Sequence, residues 1–183
     1  MKKLITLFLF TFLIHTSFIS DSSSNEIKRI IIGNENAKIS IIAYESLTCS
    51  HCANFHIDVL PDLKKEYIDT GIAKIEFRHF PLDVAAFNAS KIAQCKNDGN
   101  SEILNILYLN QSKWIKGGTI DEVNENLKKF LVSEGIKVDF EKCTNNKSIE
   151  DFVLNDRIEG VKKFKVNATP TIIINDKKFE KSL

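Results

Sequence analysis

Cys49-Ser50-His51-Cys52 combines two thiols and an imidazole at a spacing suited to thiol–disulfide exchange. Two intervening residues let the cysteines close a small disulfide ring and reopen it. Their place in the chain decides which sulfur acts first. Ile39, Ile41, Ile42 and Tyr44 make Ile39 to Glu45 almost continuously apolar, a strand for the middle of a sheet covered on both faces. Phe55, Val59 and Leu63 then recur every four residues, with Leu60 and Tyr67 near the same face, so a helix should begin close to Cys49. The first turn of a helix has unpaired N–H groups and partial positive charge, which favour a thiolate at Cys49. His51 adds a donor, and a positive charge when protonated. Cys52, one turn later and deeper, can attack a mixed disulfide formed at Cys49. Stabilising that thiolate makes the oxidised form the stronger oxidant.

Metal binding is the rival chemistry. A single C-x-x-C supplies two of the four ligands of a structural zinc site; Cys95 and Cys143 are isolated, and His56 is the nearest further candidate. A purely structural Cys49–Cys52 disulfide is a weaker alternative. Haem attachment is excluded because Ala53 follows Cys52. No cofactor or resident metal is expected.

A second feature is Thr169-Pro170, just ahead of the apolar run Thr171 to Ile174. A proline there is at home as a cis peptide in a tight entry to the strand, the alternative being an ordinary trans X-Pro bond.

The remaining elements must carry these two features. Ile27 to Ile32 reads as a short strand ended by Gly33-Asn34. Pro61 should kink the helix rather than end it, because its pattern continues to Ile68, and Gly71 closes it. Ile72 to Phe80 is a strand with Ile75 and Phe77 on one face. Strand, helix, strand over about 40 residues is a βαβ unit with parallel strands and a right-handed crossover. From Asp83 to Asn146 the period is helical, with caps expected at Asp83, Ser101 and Thr119, the last with capping-box spacing to Glu122. Ser148 should cap a further helix carrying Ile149, Phe152, Val153, Val161 and Phe164. A turn at Asn175-Asp176 and a short strand ending at Phe179 complete a hairpin. The expected organisation is a fold half over residues 25–82, a helical insert over 83–146, and the other half over 147–183.

Residues 1–24 read as an export signal. Lys2 and Lys3 precede the apolar run Leu4 to Ile14, and Ser17, Ser20 and Ser22 to Ser24 offer small residues for cleavage. Phe18 is a poor fit two residues before Ser20, the third position before a cut after Ser20, so the alternatives are a later cut or an uncleaved anchor. The chain has 25 basic and 24 acidic residues without like-charge blocks, which argues against a nucleic-acid partner. With 43% hydrophobic and 27% charged residues it can build a core and is not a disordered chain. In an oxidising compartment disulfides persist. Cys95 and Cys143, at the two ends of the insert, are expected to form a structural disulfide, with two free buried cysteines as the alternative.

In order along the chain, Gly33-Asn34-Glu35-Asn36-Ala37, Ile39 to Tyr44, Cys49-Ser50-His51-Cys52, Phe80-Pro81-Leu82, Cys95 and Ala168-Thr169-Pro170-Thr171 resemble the DsbA-like thioredoxins, in the branch known from alphaproteobacteria. The resemblance covers about residues 27 to 179. It implies an α/β thioredoxin fold with a helical insertion and a periplasmic protein that oxidises cysteine pairs in reduced exported proteins. A DsbB-like quinone-linked membrane protein would reoxidise it, and it would act as a monomer. Cys49 then matches the attacking cysteine, Cys52 the buried resolving cysteine, and Thr169-Pro170 the cis-proline loop that holds substrate backbone. That loop would face Cys49, because in a thioredoxin sheet Thr171 to Ile174 runs antiparallel to Ile39 to Glu45.

Three features depart from the family. The buried acid six residues before the first cysteine is Ala43 here; Glu45, on the same strand face, is the candidate proton acceptor in its place, against an exposed strand-end role. Threonine before the proline also occurs in disulfide isomerases, so isomerase or reductase activity is the alternative within the fold, and a copper or zinc chaperone using Cys49 and Cys52 the alternative outside it. The family usually ends in a helix that covers the sheet; the sequence stops at Ser182-Leu183, just after the hairpin, so the expectation is a missing final helix, through a truncated sequence or with one sheet face partly bare.

Overall fold

Residues 26–180 are described by the computed structural model. The export signal expected over residues 1–24 and the end of the chain beyond the hairpin lie outside the described residues.

Ile30–Gly33 (β1) and Ile39–Glu45 (β2) are followed by a helical run that opens with α1 (Ser50–Asn54) and resumes as α2 (Leu60–Leu63). Ala73–His79 (β3) returns alongside β2. Five helices come next: α3 (Val84–Gln94), α4 (Glu102–Leu109), α5 (Gln111–Trp114), α6 (Ile120–Ser133) and α7 (Phe140–Thr144). The chain then forms α8 (Lys147–Phe164), β4 (Thr171–Ile174) and β5 (Lys177–Lys178). The sheet order is β1-β3-β2-β4-β5. Only β2 and β3 are parallel; the other pairs are antiparallel. This is the α/β thioredoxin architecture with helices inserted between β3 and α8. Asn175 and Asp176, both at positive φ, make the two-residue turn between β4 and β5.

Alternation along the strands feeds two cores. Ile41 and Ala43 of β2, Ile75 and Phe77 of β3 and Ile172 of β4 join Cys52, Phe55, Leu60 and the insert side chains Leu104, Leu107, Trp114 and Leu127. Tyr44 and Ile173 face the other way, onto Phe80, Phe164 and Val166. Both faces are covered, which is why β2 is apolar along nearly its whole length. On the second face α8 lies so close that a Cβ on Gly160 would stand 2.8 Å from Tyr44 Cε1.

The helix after Cys49 departs from a simple repeat. Pro61 has no N–H to donate, and the turn before it, Phe55–Val59, widens into a π-helical turn in which Leu60 N–H reaches Phe55 O. A second such turn spans Lys64–Ile68. The helix is thus carried through Pro61 by widening. Each wide turn shifts the buried line, so Ile68 is buried while Tyr67 is exposed, against the 3.6-residue expectation for Tyr67.

Two caps also differ from expectation. Ser101 makes no capping bond; Asn100 Oδ1 accepts from Glu102 N–H instead. Asn146, not Ser148, caps α8 by accepting from Ile149 N–H, and the buried line of α8 runs Ile149, Val153, Asp156, Gly160, Phe164, leaving Val161 exposed. A buried aspartate breaks the hydrophobic pattern there because Asp156 pairs with Arg29 and accepts the His79 N–H. Asp83 and the Thr119–Glu122 capping box sit where the sequence puts them.

Cys95, at the end of α3, is bonded to Cys143 in α7, with Cα atoms 5.5 Å apart. The bond ties the first insert helix to the last.

Two stability outcomes are expected. Gly160→Ala should destabilise by about 1–3 kcal/mol, read as a lowered denaturation midpoint, because the new methyl has no room against the Tyr44 ring. Replacing Cys95 and Cys143 together by alanine should cost up to about 4 kcal/mol in the chain-entropy account, and thiol counting on the denatured, unreduced wild type should find neither sulfur free.

Candidate active site

Thr171 opens β4 opposite Tyr44, near the end of β2, so the loop leaving β2 and the loop entering β4 meet at one end of the sheet. Cys49 stands in the first loop and Thr169-Pro170 in the second. The Thr169-Pro170 peptide is cis. Cys49 Sγ lies 3.2 Å from Thr169 O, as a thiol donating to the carbonyl. Cys49 is an unbonded thiol in this structure; as a thiolate or disulfide it has no proton to donate, and the carbonyl is released.

Cys49 is the N-cap residue of α1, and its carbonyl accepts from Ala53 N–H. It is partly exposed, and Ser50 and His51 are exposed, whereas Cys52 is fully buried. The two sulfurs therefore sit in different media. Burial pushes the Cys52 thiol far up, and the Glu45 carboxylate adds to the rise; the Ser46 backbone and the Thr169 hydroxyl pull the other way. A thiol held protonated at depth beside a second thiol at the surface is the arrangement that sequential exchange requires.

The loop before Cys49 is held from three sides. Cys49 N–H donates to Ser46 O. Thr48 Oγ1 donates to Asp83 Oδ2 at 2.7 Å, and Asp83 also caps α3. Gln111, from the insert, donates its side-chain amide to Leu47 O at 2.8 Å and Cys49 O at 3.0 Å. Sequence reasoning missed Gln111, and no local pattern marks it.

Glu45 is buried, not an exposed strand end. Its Oε2 lies 2.8 Å from His56 Nε2, and both side chains are at most 2% exposed. His56 Nδ1 is 3.1 Å from Asn105 Oδ1. His56 is thus engaged with Glu45 and Asn105 rather than poised as a metal ligand. Among the described residues, no three His, Cys, Asp or Glu side chains gather as a metal site. The one sequence signal for His56 is its position four residues after Cys52, on the same helix face. Ala43 packs in the core between the strand neighbours Phe77 and Ile172.

Known proteins share both the sequence pattern and the fold. A family model described as thioredoxin matches residues 25–183. A Rickettsia conorii protein named, by inference, a protein-disulfide oxidoreductase is 29% identical over 149 residues, which is 80% of this chain and 53% of that protein. Disulfide bond formation protein D of Bacillus subtilis is 24% identical over 157 residues, 80% of this chain and 68% of that protein. The chain spans about half the length of the rickettsial relatives it matches. The crystal structure of alpha-DsbA1 from Wolbachia pipientis is 31% identical, covers 84% of this chain and 79% of its own, and superimposes with a TM-score of 0.71. With the family model covering most of its length and the alpha-DsbA1 match covering most of both chains, this chain belongs to the DsbA-like proteins of the thioredoxin family.

Proposed function

We propose that the chain is a protein thiol:disulfide oxidoreductase acting as a dithiol oxidase on exported proteins. One observation carries the reading: a partly exposed Cys49 sulfur set 3.2 Å from the Thr169 carbonyl, with Cys52 buried one helical turn behind it.

In this reading Cys49 is the sulfur that a substrate thiolate attacks. The Cys49–Cys52 bond breaks, a substrate–Cys49 mixed disulfide forms, and Cys52 leaves with the electron pair. A second substrate thiolate then attacks the substrate sulfur and expels Cys49. The substrate is oxidised by two electrons and the cysteine pair is reduced. An extended substrate backbone lies along the start of β4, bonded to Thr169 and seated against Pro170, as an added strand. His51, exposed beside Cys49, supports the leaving thiolate. Glu45 is the proton acceptor for Cys52.

The finer assignments are proposals in the same sense. The periplasm is the proposed compartment, with a DsbB-like membrane oxidase regenerating the disulfide and a monomer as the working unit. Residues 25–82 and 147–183 form the catalytic fold, and 83–146 the insert. Among the described residues no helix is long and apolar enough to cross a membrane.

Oxidised protein added to a reduced, unfolded substrate with several cysteines should restore that substrate's activity, and protein with Cys49→Ala should not. In cells, Cys52→Ala should accumulate mixed disulfides with exported proteins, because the thiol that resolves them is gone. Cys49→Ala should accumulate few. Equal trapping by the two variants contradicts the assigned order of attack.

A further inference from the structure

A chain that exchanges disulfides, the reading on which this proton path rests, must remove a proton from Cys52 each time its active-site disulfide forms. It must do so at a sulfur with no exposed surface. Burial and the Glu45 carboxylate both hold that proton on the sulfur. Water reaches such a thiol poorly, so the proton needs an acceptor within the protein.

Glu45, whose charge acts on the Cys52 thiol, is paired with His56 in the same core. Asn105 turns its amide nitrogen to Ser101 Oγ at 3.3 Å, which leaves its Oδ1 facing the imidazole. His56 Nδ1 must therefore carry a hydrogen to bond there. A second proton is shared between Nε2 and Glu45 Oε2, because two bare acceptors do not sit 2.8 Å apart. The ring cannot turn: Tyr108 stacks on it with centroids 4.1 Å apart, Phe77 lies 5.2 Å away, and Phe55 meets it edge-on. Cys52 and Tyr108 feel the Glu45 charge, and the buried His79 is the register partner of Glu45 on β3. Glu45 Oε1 is buried without a hydrogen-bond partner. A buried carboxylate oxygen without a protein partner is unusual unless the atom is used.

We propose that His56, oriented by Asn105, is the positioning residue that lets Glu45 act through Oε1 as the base for Cys52. The step begins with Cys49 held in a mixed disulfide to an oxidising disulfide. Cys52 Sγ attacks Cys49 Sγ, and the bond to the oxidant's sulfur breaks. That sulfur leaves as a thiolate with the bonding pair. The Cys52 proton passes to Oε1, while the shared proton moves fully onto Nε2. The cysteine pair is oxidised, the oxidant is reduced, and the added proton leaves to solvent. In the reverse direction, during substrate oxidation, the pair returns a proton to Cys52 as it is expelled. Nδ1 cannot substitute for Nε2, because its hydrogen is committed to Asn105.

The test uses reduced protein rapidly mixed with oxidised glutathione, acid-quenched and resolved by mass into mixed-disulfide and ring-closed forms. His56→Gln keeps an amide that can donate to Glu45 but has no basic nitrogen. It should slow ring closure about tenfold or more near pH 6–7, and closure should then rise about tenfold per pH unit, where the wild type is nearly flat. The loss should fall on closure rather than on capture at Cys49, measured in the Cys52→Ala background. Asn105→Leu should move closure in the same direction by less. Wild-type rates and pH profile in an active His56→Gln protein overturn the relay. A wild type that captures no glutathione overturns the oxidoreductase reading itself. Nitrogen-15 spectra of histidine-labelled wild type decide the matter independently of any variant's folding: a protonated His56 Nδ1 supports the assignment, and a bare Nδ1 overturns it.

Discussion

Tyr44 pairs with Thr171 across the β2–β4 ladder, and the whole candidate site is arranged around that register. The end of β2 delivers Cys49 and the start of β4 delivers Thr169-Pro170, from positions about 120 residues apart in sequence. Antiparallel pairing puts the end of one strand beside the beginning of the other, so no further device is needed to bring them together. A slip of one residue would move every side chain of β4 to the opposite face. The two cores forbid it: Ile172 belongs to one face and Ile173 to the other, each filling a packed position. Hydrophobic packing thus fixes the distance between a sulfur and a carbonyl oxygen.

The same burial that secures the register creates the site's main electrostatic tension. Cys52 sits in the first core, where its thiolate is strongly disfavoured. Glu45 and His56 sit there too, and a lone carboxylate at that depth would be costly. Pairing makes them tolerable, and it leaves a group that can exchange protons at low dielectric. The widened helical turn around Phe55–Val59 belongs to this arrangement. It carries the chain through Pro61, and it turns both Phe55 and His56 inward. Such wide turns recur at functional positions, and here the widened residues include the buried imidazole.

The insert is more than a cover. Gln111 holds two carbonyls of the Cys49 loop, Asp83 holds Thr48, and Asn105 holds the imidazole. These contacts come from three separate stretches of the insert region. The Cys95–Cys143 bond separately links α3, which Asp83 caps, to α7. Insert and active-site loop are thus joined by side-chain hydrogen bonds, even though the chain between them is long.

What can be read directly from the sequence is local. The C-x-x-C pair, the apolar strand ahead of it, the Thr119 capping box and the proline before Thr171 each advertise themselves within a few residues. Their chemistry depends on residue type and spacing, which sequence carries. The helical insert is legible for the same reason, through its period. The buried face of the first helix misleads at Tyr67 because π turns change the period without changing composition. Ser101 and Ser148 mislead as caps because neighbouring asparagines accept first-turn N–H groups instead. Asp156, Gln111 and Asn105 have no sequence signal of their own beyond a polar residue in a folded chain, and Glu45 and His56, each marked by its spacing from the cysteines, give no sign that they pair with one another. Their roles are set by which strands and helices pack together, and a polar side chain reads alike in sequence whether it meets water or a buried partner. Only the tertiary structure decides that, because the cost of burying it, and the partner that offsets that cost, exist only in the packed core.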